Sequence, residues 1–371
     1  MYRKLASIQK IISVEPIENA DAIECVTVLG WHCVAKKGEF KVDDLCVYCE
    51  VDSIMPHTNP EFKFLEERKY RIKTIKLRGQ ISQGICFPIS ILPPNVNILE
   101  GEDVTDILEI TKYDPEKGKG NVGLFKRMKR RQRSFPTFIP KTDEVRIQSV
   151  PKVLVRQAEE VCTVTEKLDG ASTTVWVKDG KFGVASRNLT VTETKGNVLL
   201  QSILTFIGEK LKIKKLLKYR NTWNGYGANN KYIATAKQLS LEEKLKNLDL
   251  NIALQGELVG PAIQDNRYKL KEYDIYWYNV YNIDTGKYLS SEAASDIVEN
   301  LGLKYVPNLG KITLGEYCVD SLVKFSKGKS ILNNKTQREG VVIRGSNGCT
   351  DEQLGRLSFK VINPEYLLKY E

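Results

Sequence analysis

Histidine is scarce in this chain of 371 residues, which contains only His32 and His57. Neither histidine lies in a sequence context with a credible serine or cysteine nucleophile. An acyl-transfer triad needs a histidine between a nucleophile and an acid, so the sequence argues against a triad hydrolase.

Long hydrophobic runs are also missing. No window approaches the roughly eighteen apolar residues that a membrane-spanning helix requires. The start, MYRKLASIQKIISVEP, lacks the apolar segment of a signal peptide. We therefore expect no membrane partner and a soluble, intracellular protein of the cytoplasm.

The eight cysteines are scattered and mostly lie inside apolar runs, as small buried hydrophobes do in a reducing compartment. Only Cys46 and Cys49 form a C-x-x-C pair, within DLCVYCEVDS. No second pair and no nearby histidine completes a zinc set. The pattern favours two cysteines of a core strand over a metal site.

Acidic residues are fewer than basic residues, and the formal net charge is +10. A basic excess favours a polyanionic partner such as nucleic acid, although solubility accounts for part of such an excess. The length exceeds one typical hydrophobic core and suggests two domains.

Residues 1–110 consist of short strand-like runs broken by turn residues, a spacing typical of a small β-barrel. The run IENADAIECVTVLGWHCVAKK, followed by DLCVYCEVDSIMP, resembles OB-fold modules, which hold nucleic acid. We therefore interpret this part as an all-β OB-fold barrel that docks RNA.

Residues 111–140 are interpreted as a basic linker. Gly118, Gly120 and Gly123 have G-x-G-x-x-G spacing, but no apolar strand precedes them and no amphipathic helix follows, which disfavours a dinucleotide site. A cluster of six basic residues either contacts phosphates or is simply solvated. These residues are Lys126, Arg127, Lys129, Arg130, Arg131 and Arg133.

Residues 141–371 mix helical and extended patterns, which predicts an α+β domain with largely antiparallel sheets. The run KTDEVRIQSV, 141–150, is predicted as a helix capped by Thr142 or Asp143. Further helices are predicted over 202–218 and 232–248, and a KDG turn predicts a hairpin. The extended runs are NIALQGELVG, DIYWYNVYNI, REGVVIRG and LSFKVI.

The stretch TVTEKLDGAST places Lys167 at the end of an alternating run, just before Asp169 and Gly170. A lysine amine is a nucleophile only when it is neutral, which requires burial or nearby cations. Lowering its pKa from about 10.4 to near 7 represents roughly 4 to 5 kcal/mol. The motif alone is weak, because a surface lysine in a D-G turn fits it equally well.

An ordered series of short motifs follows Lys167. These are SRN with Arg187, QGELVG with Glu257, YWYNVYN with Tyr278, REGVVIR with Glu339 and LSFKVIN with Lys360. The set and its order resemble the covalent nucleotidyltransferase superfamily of ligases and capping enzymes. Over nearly its whole length the chain is most similar to ATP-dependent RNA ligases of the RNA ligase 2 type, in the branch with an N-terminal OB domain.

The resemblance implies roles around the phosphates of ATP. Lys167 would attack the α-phosphate, release pyrophosphate and hold AMP covalently. Lys360 would contact the α-phosphate, and Arg187 would bind a phosphate or the incoming RNA end. With a metal ion, these cations would lower the pKa of Lys167.

The resemblance also implies contacts to the adenosine and to a metal ion. Tyr278 would stack on the adenine, and Glu166 would lie near it. Glu257 would accept hydrogen bonds from the ribose hydroxyls or organise metal-bound water. Asp169, Glu257 and Glu339 would surround a hydrated Mg²⁺ or Mn²⁺.

The implied activity joins RNA ends that carry a 3′-hydroxyl and a 5′-phosphate, as in RNA repair, with a nicked duplex among the candidate substrates and no obligate protein partner. Three alternatives stay open: a capping-type guanylyltransferase, a DNA ligase, and a non-catalytic RNA-binding protein. Only eleven residues follow Lys360. We therefore expect no C-terminal OB domain of the kind that DNA ligases and capping enzymes place there.

Three positions depart from the family pattern. Many members have two lysines as K-x-K in the last motif, whereas Ser358 and Ile362 stand two residues either side of Lys360. Ser172 stands where an asparagine often contacts the RNA-joining site. How the α-phosphate is held during sealing is therefore not given by the motif.

Overall fold

The computed structural model describes residues 4–113, 134–191 and 230–370. Part of the predicted linker, with its glycine spacing and its basic cluster, lies outside the described residues, as does the helix predicted over 202–218. No helix in these three ranges is long and apolar enough to cross a membrane.

The N-terminal part is built from short strands. They are β1 (Ala6–Pro16), β2 (Ile23–Val28), β3 (Trp31–Lys36), β4 (Leu45–Cys49), β5 (Ser53–Ile54), β6 (Ile75–Leu77), β7 (Gln80–Ser82), β8 (Ile85–Pro88) and β9 (Thr111–Lys112). Sheet 1 has the order β3-β2-β1-β4-β8 and is antiparallel throughout. The long strand β1 pairs with β4 through its first half and with β2 through its second, with a register shift between Ile11 and Ser13.

This sheet curls into a barrel, because its two edges meet. Gln83, just before β8, donates its backbone N–H to the carbonyl of His32 in β3, with a donor–acceptor distance of 2.8 Å. Trp31, Tyr48 and the two cysteines of the C-x-x-C pair are fully buried. The predictions of an all-β barrel and of core strand cysteines are confirmed.

The second part of the chain forms two larger sheets. Its strands are β10 (Val145–Arg146), β11 (Val161–Lys167), β12 (Ala171–Lys178), β13 (Lys181–Ser186), β14 (Thr190–Val191), β15 (Ile252–Val259), β16 (Asp274–Asn282), β17 (Lys287–Tyr288), β18 (Lys304–Tyr305), β19 (Asn308–Thr313), β20 (Gly340–Gly345), β21 (Thr350–Asp351), β22 (Gly355–Arg356) and β23 (Ser358–Ile362). Sheet 2 has the order β10-β23-β20-β11-β19, and sheet 3 has the order β14-β13-β12-β15-β16-β17, with β18 beside β16.

Both sheets are antiparallel except at their margins, where β10 runs parallel to β23 and β18 runs parallel to β16. The predicted α+β class with largely antiparallel sheets is therefore confirmed. The KDG turn joins β12 to β13, with Lys178 opposite Lys181, so the predicted hairpin is present.

Helices flank these sheets. They are α1 (Val153–Arg156), α2 (Lys231–Gln238), α3 (Leu241–Lys246), α4 (Ser291–Asn300), α5 (Val319–Ser326) and α6 (Pro364–Tyr370). The single helix predicted over 232–248 is two helices, α2 and α3, which meet at Ser240 with φ 52°. The remaining helices were not among the predicted elements.

The helix predicted over 141–150 is wrong. Val145 and Arg146 form β10 beside β23, and Ile147–Ser149 is a single 3₁₀ turn. Val145, Ile147 and Val150 are β-branched and favour extended backbone. Pairing with an open sheet edge and burial of Ile147 outweigh the capping signal.

The barrel rests against the second part of the chain. Gly30 donates its backbone N–H to Gln148 O at 2.9 Å, and Ser149 Oγ donates to Glu50 Oε1 at 3.1 Å. The Arg146 guanidinium lies 5.7 Å from the Trp31 ring centroid. These contacts place the barrel beside β10 and therefore close to β23.

Candidate functional site

Sheets 2 and 3 face each other across a cleft, and strand alternation decides which side chains enter it. In β11, Cys162 and Val164 belong to the hydrophobic core behind sheet 2. Because successive side chains point to opposite faces, Thr163, Thr165 and Lys167 point the other way, toward sheet 3. Lys167 ends the strand and lies at one end of the cleft.

Neighbouring strands bring two predicted residues to Lys167. Glu339 immediately precedes β20, whose first residue lies opposite Lys167. The Lys167 amine donates to Glu339 Oε2 at 2.7 Å, and both side chains are largely buried. Lys360, opposite Val342 in β23, lies on the same face of sheet 2.

Sheet 3 contributes Glu257 from the opposite wall. Glu257 lies opposite Ser172 in the β15–β12 pairing, and its Oε1 accepts a hydrogen bond from the Gly170 N–H at 3.1 Å. A Cβ at Gly170 would lie 2.5 Å from Leu258 O and 2.8 Å from the Glu257 side chain. The glycine of the K-x-D-G motif is therefore required for the close approach of this segment to β15.

The cleft sets the protonation of Lys167 and Lys360 in opposite directions. Burial alone would lower the pKa of the Lys167 amine, but Glu339 and Glu257 outweigh it, so this pKa is raised. Burial, followed by repulsion from Lys167 and Arg146, lowers the pKa of Lys360 to about 7. Carboxylates are the nearest charged neighbours of Lys167, and the lowered pKa that a metal ion and cations would give it stays a prediction.

Asp169 is held by residues that the sequence analysis did not single out. Its carboxylate accepts hydrogen bonds from Arg267 and from the Tyr366 hydroxyl, and its backbone N–H donates to Tyr268 OH at 2.7 Å. Arg267 also lies over the Tyr370 ring, 4.4 Å from its centroid. Helix α6 therefore reaches the K-x-D-G motif directly.

Tyr278 lies in the cleft beside a cation from sheet 2. The Arg344 guanidinium lies 5.6 Å from the centroid of the Tyr278 ring and is 3% exposed. Arg344 is directly opposite Ser358, one of the two positions where the family's second lysine is missing. A cation on the neighbouring strand thus lies beside the serine. Side chains alternate between the two faces of β20, and Arg344 is two residues beyond Val342. This alternation was the signal in the sequence that would have identified Arg344.

Arg187 and Glu166 are not brought to the Lys167 amine. Arg187 is exposed at the end of β13 and pairs with Asp143 Oδ1 at 2.5 Å. Glu166 points to the other face of β11, where its Oε2 accepts from the Ile331 N–H at 2.8 Å. Within the described ranges its Oε1 is buried without a hydrogen-bond partner. The adenine contact stays a prediction.

The carboxylates fit a hydrated divalent cation better than a directly bound one. In the described ranges no three acidic, histidine or cysteine side chains are close enough to hold a metal ion directly. Burial raises the pKa of Glu257 to about 8, opposed by Lys167 and reinforced by Glu339 and Asp169. Mg²⁺ and Mn²⁺ prefer such oxygen donors, and Mg²⁺ usually keeps several of its waters. A bound cation would offset the repulsion among the carboxylates of Glu257, Glu339 and Asp169.

Comparison with known proteins agrees with this geometry. A model of the RNA ligase family matches residues 160–362, and a model of an OB-fold domain matches residues 5–89. No curated protein sequence matches significantly.

Among solved structures, the chain is similar to the RNA ligase of Naegleria gruberi with PPi, at 34% identity and a TM-score of 0.80. The alignment covers 100% of this chain and 99% of that one. Two variants of the same enzyme, one with ATP and Mn and one with AMP and Mn, each match at 34% identity and a TM-score of 0.79. Each alignment covers 99% of both chains.

Proposed function

Because this chain belongs to the RNA ligase family, we propose that it uses ATP to join an RNA 3′-hydroxyl end to an RNA 5′-phosphate end through AMP bound to Lys167. One observation carries this proposal. The Lys167 amine lies in a cleft between two sheets with Glu339, Glu257 and Lys360 around it.

Lys167 performs the first step as the nucleophile. Its neutral amine attacks the α-phosphorus of ATP, a P–N bond forms, and the bond to the bridging oxygen breaks so that pyrophosphate leaves with the electron pair. Glu339, 2.7 Å from Nζ, is placed to hold the proton that the amine gives up. Lys360 supplies positive charge where the α-phosphate gains negative charge.

A divalent metal ion has a defined place in this scheme. Glu257 and Glu339, which line the two walls, would hold Mg²⁺ or Mn²⁺ through water. Asp169 would act mainly through its charge, since Arg267 and Tyr366 already occupy its carboxylate. When bound, the ion neutralises the phosphates and offsets the carboxylates that raise the pKa of Lys167.

Two further steps would complete the reaction on RNA. An oxygen of the RNA 5′-phosphate attacks the phosphorus of AMP, the P–N bond breaks, and Lys167 regains its proton. The 3′-hydroxyl then attacks the 5′-phosphorus, and AMP leaves. Arg187, which is exposed at the end of β13, would bind the incoming end with its planar guanidinium.

Transfer of label tests the covalent step. Purified protein is incubated with α-labelled ATP or GTP and with Mg²⁺ or Mn²⁺, and is then separated on a denaturing gel. We expect label from ATP on the wild type and none on Lys167→Ala. The exposed Lys181→Ala is the matched control and should be labelled like the wild type.

Other outcomes select another activity. Label from GTP alone would replace the proposal with capping chemistry. Label from neither nucleotide would favour the non-catalytic RNA-binding alternative. When ATP does label the protein, sealing of nicked DNA but not of RNA would identify a DNA ligase.

A further inference from the structure

Helix α6 and the segment 262–269 hold the Asp169 carboxylate between them. Tyr366 of α6 donates its hydroxyl, and Arg267 donates its guanidinium, to the same carboxylate oxygen, Oδ2. Tyr268 OH accepts the Asp169 backbone N–H at 2.7 Å. The two tyrosines are buried, and the Arg267 side chain is 13% exposed. We call Arg267, Tyr268 and Tyr366 the Asp169 clamp.

The clamp leaves the second carboxylate oxygen of Asp169 free. Within the described ranges, Oδ1 accepts no hydrogen bond, whereas Oδ2 accepts two. Two donors on one oxygen restrict the rotation of the carboxylate. Oδ1 therefore has a fixed position and stays available to a water molecule bound by a divalent cation, the form in which Mg²⁺ usually meets a protein.

Asp169 lies between the two motif residues that contact the other acids of the cleft. Lys167 donates to Glu339 Oε2 at 2.7 Å, and Gly170 donates its N–H to Glu257 Oε1 at 3.1 Å. Burial raises the pKa of Glu339; Lys167 opposes this effect, and the Asp169 charge reinforces it. The Asp169 charge therefore acts where Glu257 and Glu339 would hold a hydrated cation.

Helix α6 is also tied to other residues of the cleft. It begins at Pro364, four residues after Lys360. Asn363, which is fully buried, donates its backbone N–H to Glu339 O at 2.9 Å. The position of Tyr366 is therefore coupled to that of Glu339 and to the end of β23.

The segment that carries Arg267 and Tyr268 has a strained backbone. Five of its non-glycine residues have a positive φ, between 42° and 58°: Ala262, Gln264, Asp265, Asn266 and Lys269. Left-handed backbone is unfavourable for such residues and clusters at functional sites. A largely buried ion pair also adds little stability compared with apolar residues of similar size. Stability alone therefore does not account for the clamp.

We propose that Tyr366 and Arg267 are positioning residues for the transfer of AMP to Lys167, and that they act by fixing the Asp169 carboxylate toward a hydrated Mg²⁺ or Mn²⁺. The proposal rests on the proposed function, because it takes this metal-dependent step as given. Hydrogen-bond partners of metal-binding carboxylates orient them, and loss of one such partner typically weakens metal binding about tenfold to a hundredfold.

Removal of the Tyr366 hydroxyl tests the proposal. Binding of Mn²⁺ to the full chain is measured by electron paramagnetic resonance of free Mn²⁺, in the presence of saturating AMP, which cannot label Lys167. Tyr366→Phe keeps the buried ring and should bind Mn²⁺ at least about tenfold more weakly than the wild type. The number of Mn²⁺ ions bound per chain checks that the variant is folded.

Tyr370→Phe is the matched control on the same helix. The Tyr370 hydroxyl lies 3.2 Å from Thr336 Oγ1 and does not contact Asp169. Its loss leaves both donors to the Asp169 carboxylate in place. We expect this variant to bind Mn²⁺ with the affinity of the wild type.

Asp169→Asn decides whether Tyr366 acts through Asp169. This variant should bind Mn²⁺ at least as weakly as Tyr366→Phe does. Adding Tyr366→Phe to it should cause no further loss, because the charge that the hydroxyl positions is already gone. A merely structural role of Tyr366 would instead weaken Mn²⁺ binding in both backgrounds.

Two results would overturn the proposal: an Mn²⁺ affinity of Tyr366→Phe equal to that of the wild type, or a loss that persists in the Asp169→Asn background. Label from α-labelled ATP is measured in parallel at increasing Mn²⁺ concentration. If only the positioning proposal fails, the wild type is labelled and Tyr366→Phe reaches half-maximal label at the same Mn²⁺ concentration. Failure of the proposed function leaves the wild type itself without label, so the two failures are distinguishable.

Discussion

At the scale of single residues, the two lysines of the cleft differ in protonation because their neighbours differ. Lys167 lies against Glu339, which raises its pKa, whereas Lys360 faces Lys167 and Arg146 in a buried position, and its pKa is lowered to about 7. A phosphate bound at Lys360 favours the charged amine. Nucleotide binding should therefore be coupled to proton uptake at this residue.

This coupling predicts a pH dependence. In the protein without nucleotide the pKa of Lys360 is about 7. The contribution of the charged Lys360 amine to nucleotide binding is therefore complete well below pH 7 and is lost as the pH rises. Affinity for a non-reactive α,β-methylene analogue of ATP should fall about tenfold between pH 6 and pH 8. Calorimetry in buffers of different ionisation enthalpy measures both the affinity and the protons taken up.

The control for this measurement is Lys360→Arg, which stays charged over the whole range and should bind with a flatter pH profile. Glu257 has a pKa of about 8 and titrates in both proteins. Its effect on affinity is therefore common to both pH profiles and does not contribute to the difference between them. Equal slopes in the two proteins would contradict the assignment of the titration to Lys360.

Arg344 offers a physical reason for the serine at position 358. The two residues are directly opposite each other in the β20–β23 pairing, and both are buried. A lysine at 358 would set two cations side by side in a site of low polarity. Like charges that oppose each other across an antiparallel pair are destabilising.

We expect Ser358→Lys to lower the free energy of unfolding by on the order of 1 kcal/mol, measured by urea denaturation. In an Arg344→Met background the same lysine should cost less, because the repulsion is gone. The four proteins form a double-mutant cycle. A coupling energy of zero would show that the two positions do not compete for charge.

At the scale of elements, helix α6 and the segment before β16 converge on the loop after β11. Arg267 and Tyr366 both donate to the Asp169 carboxylate, and both residues lie far from it in sequence. The side chains of Arg267 and Asp169 are 13% and 15% exposed. Removing one partner of such a pair leaves an uncompensated charge in a largely buried site.

Arg267→Met should therefore reduce the free energy of unfolding by about 3 kcal/mol. Adding Asp169→Asn in the same protein should recover part of this loss, because it removes the unpaired charge. Denaturation midpoints measure both effects, and the exposed Arg68→Met is a matched control that should change little. A loss that Asp169→Asn does not reduce would refute the electrostatic explanation.

At the scale of the whole molecule, the position of the barrel depends on a close backbone contact. Gly30 donates to Gln148 O, and a Cβ at Gly30 would lie 2.9 Å from Gln148 Cα and 2.9 Å from the Val319 side chain. Any larger residue at this position must push the barrel away from the second part of the chain. The strands of the barrel themselves would be unaffected.

Gly30→Val should increase the radius of gyration measured by small-angle X-ray scattering and should separate thermal unfolding into two transitions. Ala22→Leu, an exposed change in the same barrel, is the control and should keep the scattering profile of the wild type. An unchanged radius with a single transition in Gly30→Val would mean that the contact does not hold the barrel in place.

Sequence patterns were enough to predict the barrel, the α+β class, the hairpin at the KDG turn and the order of the motifs that carry the ligase resemblance. These features depend on local alternation, turn residues and residue identity, all of which can be read along the chain. The false helix at 141–150 marks the limit of this approach, since an open sheet edge outweighed a capping signal there.

Which charged side chains meet follows from the folded protein and not from the sequence pattern. Glu339 is 172 positions from Lys167, and Tyr366 is 197 positions from Asp169, yet each pair forms a hydrogen bond. Strand register, and not spacing along the chain, places Arg344 against Ser358. Because a pKa depends on burial and on the charges within a few ångströms, the raised value at Lys167 and the lowered one at Lys360 followed only from the folded cleft.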